Sequence, residues 1–462
     1  MDKQQYSSRL KPYKQEHLVQ FWDKLSDDEQ SRLAQQIDAI DFDLLSELSG
    51  KKTQQIDIAE LADKALPPKA IRLDCTEEQT RLAREAGEAA IRSGRVGMVL
   101  VAGGQGTRLG FDLPKGMFSI GPLSQRTLFQ MHVDSLRGAM KKYQCEIPLF
   151  IMTSPATDKE TRTYFAQNDN LGLPSHLLHI FQQGVMPAVD ALSGKVLLET
   201  ESQIAVSPDG HGGIVDAMKK NGILAKCEEK GIAHLFYAQV DNPLVTACDP
   251  LLIGHHLLSK SEMTTQVVKK RFAKEKVGNV VAVDGKTQII EYSDLPNDAA
   301  ERRNPDGSLA LWAGNIAVHV ISCDFLQRCS DDAASLPFHI AHKAVPYINE
   351  SGDRVKPSQP NAFKFEKFVF DLLPRASVAL VVEGDAAEVF APVKNADGAA
   401  TDTPSSCRTS LSQRFKRWLA AAGVETDEST TIEIHPLWAF DVDDVKAKFS
   451  SPLKINVDTY FA

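Results

Sequence analysis

The chain has 462 residues, of which 43% are hydrophobic and 24% charged, and a formal net charge of -9; this composition is ordinary for folded domains and excludes disordered and fibrous classes. At roughly 150 residues per domain it has room for two or three domains. The acidic balance argues against a broad nucleic-acid surface, so a site for an anionic substrate must gather its lysines and arginines locally.

The seven cysteines are scattered, odd in number and without a Cys-x-x-Cys pair, which predicts a reducing compartment and no zinc site. The first residues, MDKQQYSSRLKPYKQ, carry no apolar h-region, and no run approaches the roughly 18 apolar residues of a membrane span. The expectation is a cytoplasmic protein with neither membrane nor nucleic acid as partner.

In chain order, apolar residues recur at helical spacing between Lys14 and Ser49, at Leu18, Phe21, Trp22 and Leu25 and then at Leu33, Ile37, Ile40, Leu44 and Leu45. They predict a helical N-terminal region, residues 1–75, with a packing role. A helix is expected over Glu77–Ser93 and a buried parallel strand over Val96–Val101. That strand feeds VAGGQGTRLGFDLPKGM, Val101 to Met117, the most informative segment of the chain. Gly103, Gly104 and Gly106 remove the side chains that would keep a polyphosphate away from backbone N–H groups, and Arg108 and Lys115 add charge where the anion would sit.

Two commoner motifs do not fit. A P-loop needs Gly-Lys-Ser/Thr to close its glycine run, whereas Gly110 is followed by Phe111 and Asp112 and the lysine comes later, in Pro114-Lys115-Gly116. A dinucleotide fingerprint needs a second strand soon after, ending in an acid. Here GPLSQRTLFQMHVDSLRGAM, from Gly121, reads as a helix, and the next strand, Ile147–Met152, ends in Thr153-Ser154.

Further strands are expected at His179–Phe181, Ala233–Val240 and Thr265–Val268, alternating with helices in the manner of a doubly wound α/β domain over residues 76–396. In such sheets ligands bind beyond the carboxyl ends of the strands. Gln182-Gln183-Gly184 and the second glycine-rich loop, Ser207 to Gly213, suit the edge and face of a nucleobase. Asp241 ends the strand LFYAQV with an acid where a divalent cation bridging phosphates needs an oxygen ligand; a helix N-cap is the bland alternative. Glu291-Tyr292, Ala313-Gly314-Asn315, Lys364 to Phe368 and Pro392 to Asp397 are each nonspecific alone. Asp397–Arg408 reads as the main linker, followed by a helix over Ser410–Ala422. Residues 397–462 are thus expected to be linker and a small C-terminal subdomain with short β runs in TTIEIHPLWAF and LKINVDTYF.

Nine segments in order, KQEHLVQFW, VAGGQGTRLG with PKGM, FQQGVMPA, SPDGHGG, VDNPLV, IIEYSDL, AGNIAVH, KFEKFVFDLL and FAPVKNADG, together resemble the eukaryotic-type UDP-N-acetylhexosamine pyrophosphorylases of the UDP-sugar pyrophosphorylase superfamily. The resemblance implies a Rossmann-like, GT-A-like nucleotidyltransferase domain with a mixed sheet flanked by helices, a helical N-terminal region and a small C-terminal α+β subdomain. It implies attack of a sugar 1-phosphate oxygen on the α-phosphorus of UTP, expulsion of pyrophosphate, and Mg²⁺ or Mn²⁺ as cofactor. It also places Ala102, Gly103 and Gly104 on uridine and phosphate through backbone groups, Arg108 and Lys115 on the triphosphate, and Gln183 and Gly210 on uracil. Asp241 is placed on the metal or the nucleotide, Lys364 on the UTP phosphates, Lys394 on the sugar phosphate, and Glu291, Asn315 and Phe368 around the sugar. One position departs from the pattern: His211 stands where these enzymes usually carry Asn, and UDP-glucose pyrophosphorylases carry Gly-His-Gly. A bulkier ring that can change charge near neutral pH is expected to alter the sugar pocket or its pH response. The alternatives are a UDP-glucose or broad UDP-sugar pyrophosphorylase and a non-catalytic nucleotide-binding regulatory protein.

Overall fold

The structure is a computed structural model and describes residues 2–50, 58–332, 336–450 and 453–462; residues 51–57 of the expected helical N-terminal region lie outside them. The chain forms two compact units, each assembled from three stretches. One comprises Met1–Asp57, Gln183–Ile214 and Ala334–Asp371, the other Ile58–Gln182, Val215–Ala333 and Leu372–Ala462.

The larger unit is built on a 10-stranded mixed sheet. Its strands are β1 (Ala70–Ile71), β2 (Val96–Val101), β3 (Leu149–Thr153), β4 (Leu178–Gln182), β5 (His234–Gln239), β6 (Met263–Lys269), β7 (Gly278–Val283), β8 (Lys286–Ile290), β9 (Ala313–Ser322) and β10 (Ala379–Glu383). The spatial order is β1-β10-β6-β9-β5-β2-β3-β4, and the β7–β8 hairpin joins through β9. β2 lies parallel between β5 and β3; β9 runs against them, pairing antiparallel with β5 and β6, and β8 runs against its partner β7. The carboxyl ends of β2, β3, β5, β6 and β10 and the start of β9 therefore share one edge. β2 and β3 read as continuous apolar runs because residues on both of their faces are buried.

Helices flank the sheet where the sequence supplies caps. Thr76 and Gln79 close a capping box before the helix Glu77–Arg92, and Thr127 and Gln130 close another before Leu128–Tyr143. The second helix therefore starts later than the run from Gly121 suggests. A larger correction concerns Asp397–Arg408. Its second half is helix, because Thr403 caps and Pro404 opens an 18-residue helix, Pro404–Ala421. Cys407, Leu411, Phe415 and Leu419 of that helix are buried in the core of the main sheet. Two short parallel pairs follow, Val424–Thr426 with Leu453–Ile455 and Ile432–Ile434 with Thr459–Phe461. Among the described residues no helix is long and apolar enough to cross a membrane.

In the smaller unit the helices Lys3–Leu10, Asp27–Asp38 and Phe42–Gly50 bury Leu18, Phe21, Leu33 and Ile37 in one core with Val189, Val196 and Phe365. That core backs a small antiparallel sheet of Val189–Asp190, Ala362–Glu366 and His339–Lys343.

Four histidines are held neutral by burial, which pushes His132, His211 and His234 down to about 4 and His256 to about 3. Between those values and about 6.5 the unfolded chain binds more protons than the folded one, so stability falls as pH drops through that interval. Thermal melts recorded from pH 7.5 down to 4.5 are expected to show a progressive loss of Tm below about pH 6.5; a flat profile would contradict these assignments.

Candidate active site

The glycine turn leaves the sheet at the shared edge. The N–H of Ala102 donates to the Met152 carbonyl at 2.8 Å, and the Ser154 hydroxyl donates to the Gly103 carbonyl at 2.8 Å. Farther along, the Lys115 N–H reaches the Gly104 carbonyl at 3.0 Å, and the Gly106 N–H reaches that of Leu113 at 2.9 Å. Among the described residues the N–H groups of Gly103 and Gly104 donate to no protein acceptor, which leaves them for an anion. Ala102 is buried and its N–H is engaged by the Met152 carbonyl, so its N–H is not available to a ligand.

The two glycines that flank Gln105 have different reasons. A Cβ on Gly104 would meet nothing within 4 Å, whereas one on Gly106 would lie 2.7 Å from the Phe111 ring and 2.8 Å from its carbonyl oxygen. Gly104→Ala is thus expected to change stability by no more than ~0.5 kcal/mol while raising KM for a nucleotide. Gly106→Ala is expected to cost about 1–3 kcal/mol of overpacking. Melting curves and substrate titrations separate the two outcomes.

Around the turn the larger unit collects charge. Lys115 Nζ lies 3.8 Å from Asp241 Oδ2, each side chain 16% exposed. Among the described residues the Arg108 guanidinium makes no hydrogen bond or ion pair, and the Lys394 ammonium, 5.8 Å above the Phe390 ring, meets no carboxylate at ion-pair distance. The loop carrying Lys394 ties these groups together through backbone. The Val393 N–H donates to the Asp241 carbonyl at 2.8 Å and the Ala396 N–H to the Arg108 carbonyl at 3.1 Å. Among the described residues no helix starts at Asp241, and the next helix, Pro250–Leu258, is capped by Asp249, so the N-cap alternative falls.

Glu291 and Asn315 are brought together at the same edge. Gly278 lies between them: a Cβ there would be 3.2 Å from Glu291 Oε1 and 3.6 Å from Asn315 Cβ. The Asn315 Oδ1 accepts from the Ala317 N–H at 3.0 Å. Ala317 sits at φ +56 where the β6–β9 register shifts. A bulge of this kind re-aims the side chains beside it, and with Oδ1 occupied Asn315 keeps its Nδ2 donors for a ligand.

Gln183, Gly210, His211, Lys364 and Phe368 belong to the smaller unit. Gln183 is buried. Gly210 has φ +84, and a Cβ there would lie 2.3 Å from the Lys367 carbonyl oxygen, so no other residue fits. The His211 ring packs 5.3 Å from Phe368 and 5.7 Å from Phe370, centroid to centroid, and its Nδ1 accepts from the Val369 N–H at 3.1 Å. Among the described residues the Lys364 ammonium makes no hydrogen bond or ion pair. Burial, with the neighbouring His339, pushes the His211 pKa down to about 4, which favours a neutral ring near pH 7 and leaves the shape of the sugar pocket as the way this position would act. Because Nδ1 accepts, Nε2 carries the proton.

Among the described residues no group of three or more His, Cys, Asp or Glu forms a protein-only metal cage. A small hard cation that keeps waters and takes phosphate oxygens needs only one or two carboxylates, and Asp241, partly exposed beside the glycine turn, fits that donor set.

A family model described as UTP--glucose-1-phosphate uridylyltransferase matches residues 42–450. The chain belongs to this uridylyltransferase family. It is 34% identical to "UDP-N-acetylhexosamine pyrophosphorylase-like protein 1" of Homo sapiens, over 98% of this chain and 97% of that one. It is 36% identical to "UDP-N-acetylglucosamine pyrophosphorylase" of Saccharomyces cerevisiae, over 75% and 74%. The crystal structure of the uridine diphosphate N-acetylglucosamine pyrophosphorylase from Trypanosoma brucei superposes with a TM-score of 0.84 at 26% identity, covering 99% of this chain and 98% of that chain.

In this member of the uridylyltransferase family, the structure adds supports that the sequence does not signal. Asn242, buried behind Asp241, donates from Nδ2 to the Val389 carbonyl at 2.8 Å and accepts on Oδ1 from the Ala391 N–H at 3.1 Å. His132 Nε2–H donates to the Val240 carbonyl at 3.1 Å. Both brace the turn that carries Asp241 against segments more than a hundred residues away, so no local motif could announce them.

Proposed function

We propose that this chain forms a UDP-N-acetylhexosamine, UDP-N-acetylglucosamine or its galacto epimer, and pyrophosphate from UTP and the N-acetylhexosamine 1-phosphate, in the cytoplasm. The observation that carries the reading is the set of cations at the glycine turn: in an acidic protein, Arg108 and Lys394 make no ion pair among the described residues, Lys394 feeling the Asp402 carboxyl only at longer range, while Lys115 has a carboxylate at 3.8 Å. Cations left in this way call for a polyanion. The relatives named for UDP-N-acetylhexosamine and UDP-N-acetylglucosamine support the choice of sugar.

The chemistry needs no covalent enzyme intermediate. A sugar 1-phosphate oxygen attacks the α-phosphorus of UTP in line, the bond to the β,γ-pyrophosphate breaks, and the protein contributes positioning and charge stabilisation. Gly103 and Gly104 present N–H groups to the nucleotide, and Arg108 and Lys115 neutralise the triphosphate. Lys394 holds the sugar phosphate, and Lys364 adds charge to the UTP phosphates. Gln183 and Gly210 take the uracil, and Glu291, Asn315 and Phe368 the sugar. His211, neutral and with Nε2–H as its donor, can offer the sugar side one hydrogen bond that does not vary through neutral pH. Mg²⁺, or Mn²⁺, held by Asp241, supplies Lewis-acid neutralisation of phosphate charge when bound.

The test is release of pyrophosphate that requires both UTP and N-acetylglucosamine 1-phosphate, with UDP-N-acetylglucosamine identified by mass. Tight UTP binding without pyrophosphate release would instead indicate a nucleotide-binding protein without catalysis.

A further inference from the structure

Asp402 lies in the stretch read from sequence as a linker, directly before the cap of the helix Pro404–Ala421. Its backbone is left-handed, φ +60, a region that Asp and Asn tolerate better than other residues with a Cβ. Its carbonyl oxygen accepts two N–H groups at once, from Lys394 at 2.7 Å and Asn395 at 3.0 Å. The Asn395 Nδ2 donates to the neighbouring Thr401 carbonyl at 3.0 Å, closing the loop from its other side. These bonds fix the peptide from which the Lys394 side chain springs, while the next residue, Thr403, anchors the turn to the buried helix through its capping box with Ser406.

We propose that Asp402 is the positioning residue of Lys394: its left-handed turn, seated on the helix Pro404–Ala421, sets the backbone from which Lys394 reaches the sugar phosphate. The proposal rests on the reading of Lys394 given above. The Asp402 carboxyl feels the Lys394 ammonium but makes no ion pair with it; the hydrogen bonds to the loop come from the carbonyl, so the proposal turns on tolerance of positive φ at this position. Aspartate supplies it, and asparagine and glycine supply it as well.

The test is a series at one position. Asp402→Gly and Asp402→Asn keep the left-handed preference and are expected to retain kcat within threefold of wild type. Asp402→Ala differs from Asp402→Gly only by a Cβ that disfavours this conformation, and is expected to fall at least fivefold below it in kcat, with KM for UTP within threefold of wild type. Asp402→Val, stiffer still, is expected to fall further; if it does not fold, the alanine and glycine pair decides. In a Lys394→Ala background, exchanging glycine for alanine at 402 is expected to change kcat by less than twofold. Equal kcat for the alanine and glycine variants, or an undiminished difference in the Lys394→Ala background, overturns the proposal. Near-wild-type turnover of Lys394→Ala alone overturns the reading of Lys394 itself, and the two failures are thereby told apart.

Discussion

Replacing Lys115 with alanine is expected to lower kcat by about two to three orders of magnitude, the usual consequence of removing one preorganised charge from a developing transition state. The side chain is well placed for this. Its backbone N–H is fixed by the Gly104 carbonyl at 3.0 Å, and its ammonium stands 3.8 Å from Asp241, too far for a hydrogen bond. Removal therefore breaks no side-chain hydrogen bond of the fold, and the melting curve is expected to stay near that of wild type. Lys394→Ala is expected to behave alike, since among the described residues its ammonium makes no ion pair. Steady-state kinetics with both substrates saturating measures the loss, and a tenfold or smaller drop in both variants contradicts the assigned roles.

Asp241→Asn is the second large effect. Asparagine keeps the shape of the turn, including the backbone carbonyl that accepts from Val393, and removes only the anionic oxygen that a hard cation prefers. Turnover is expected to fall by about 10²-fold or more, and the concentration of Mg²⁺ needed for half-maximal rate is expected to rise. An unchanged Mg²⁺ titration would show that Asp241 does not hold the metal. Lys115, left without its acid neighbour, is expected to keep or improve UTP binding in this variant, so a rate loss with KM for UTP unchanged fits the proposed division of labour.

Much of the larger unit was legible in the chain because its signals are local. A continuous apolar strand, a glycine turn and two cations within the next 14 residues describe β2 and its loop, and the structure places Arg108, Lys115, Asp241, Lys394, Glu291 and Asn315 in the unit where the strands share an edge. What stayed hidden depends on distance along the chain. The helical N-terminal region gives no hint that its core is completed by Val189, Val196 and Phe365, because burial by remote segments leaves no periodic signature. Asp397–Arg408 looked like a linker because Pro, Ser and Thr mark loops and helix starts alike; only the Thr403 capping box distinguishes them. The titration of His211 is hidden for a related reason. Its type announces a group that titrates near neutral pH, but burial against two phenyl rings, with its Nδ1 accepting a backbone N–H, pushes its pKa down.

The measurement that bears most directly on the whole account is pyrophosphate release from UTP and Mg²⁺ with N-acetylglucosamine 1-phosphate, N-acetylgalactosamine 1-phosphate and glucose 1-phosphate compared side by side. The account predicts that an N-acetyl sugar is preferred by at least about tenfold in kcat/KM, which corresponds to about 1.4 kcal/mol of transition-state binding. Preference for glucose 1-phosphate would contradict the assigned sugar, and absence of pyrophosphate release with all three would contradict the reaction.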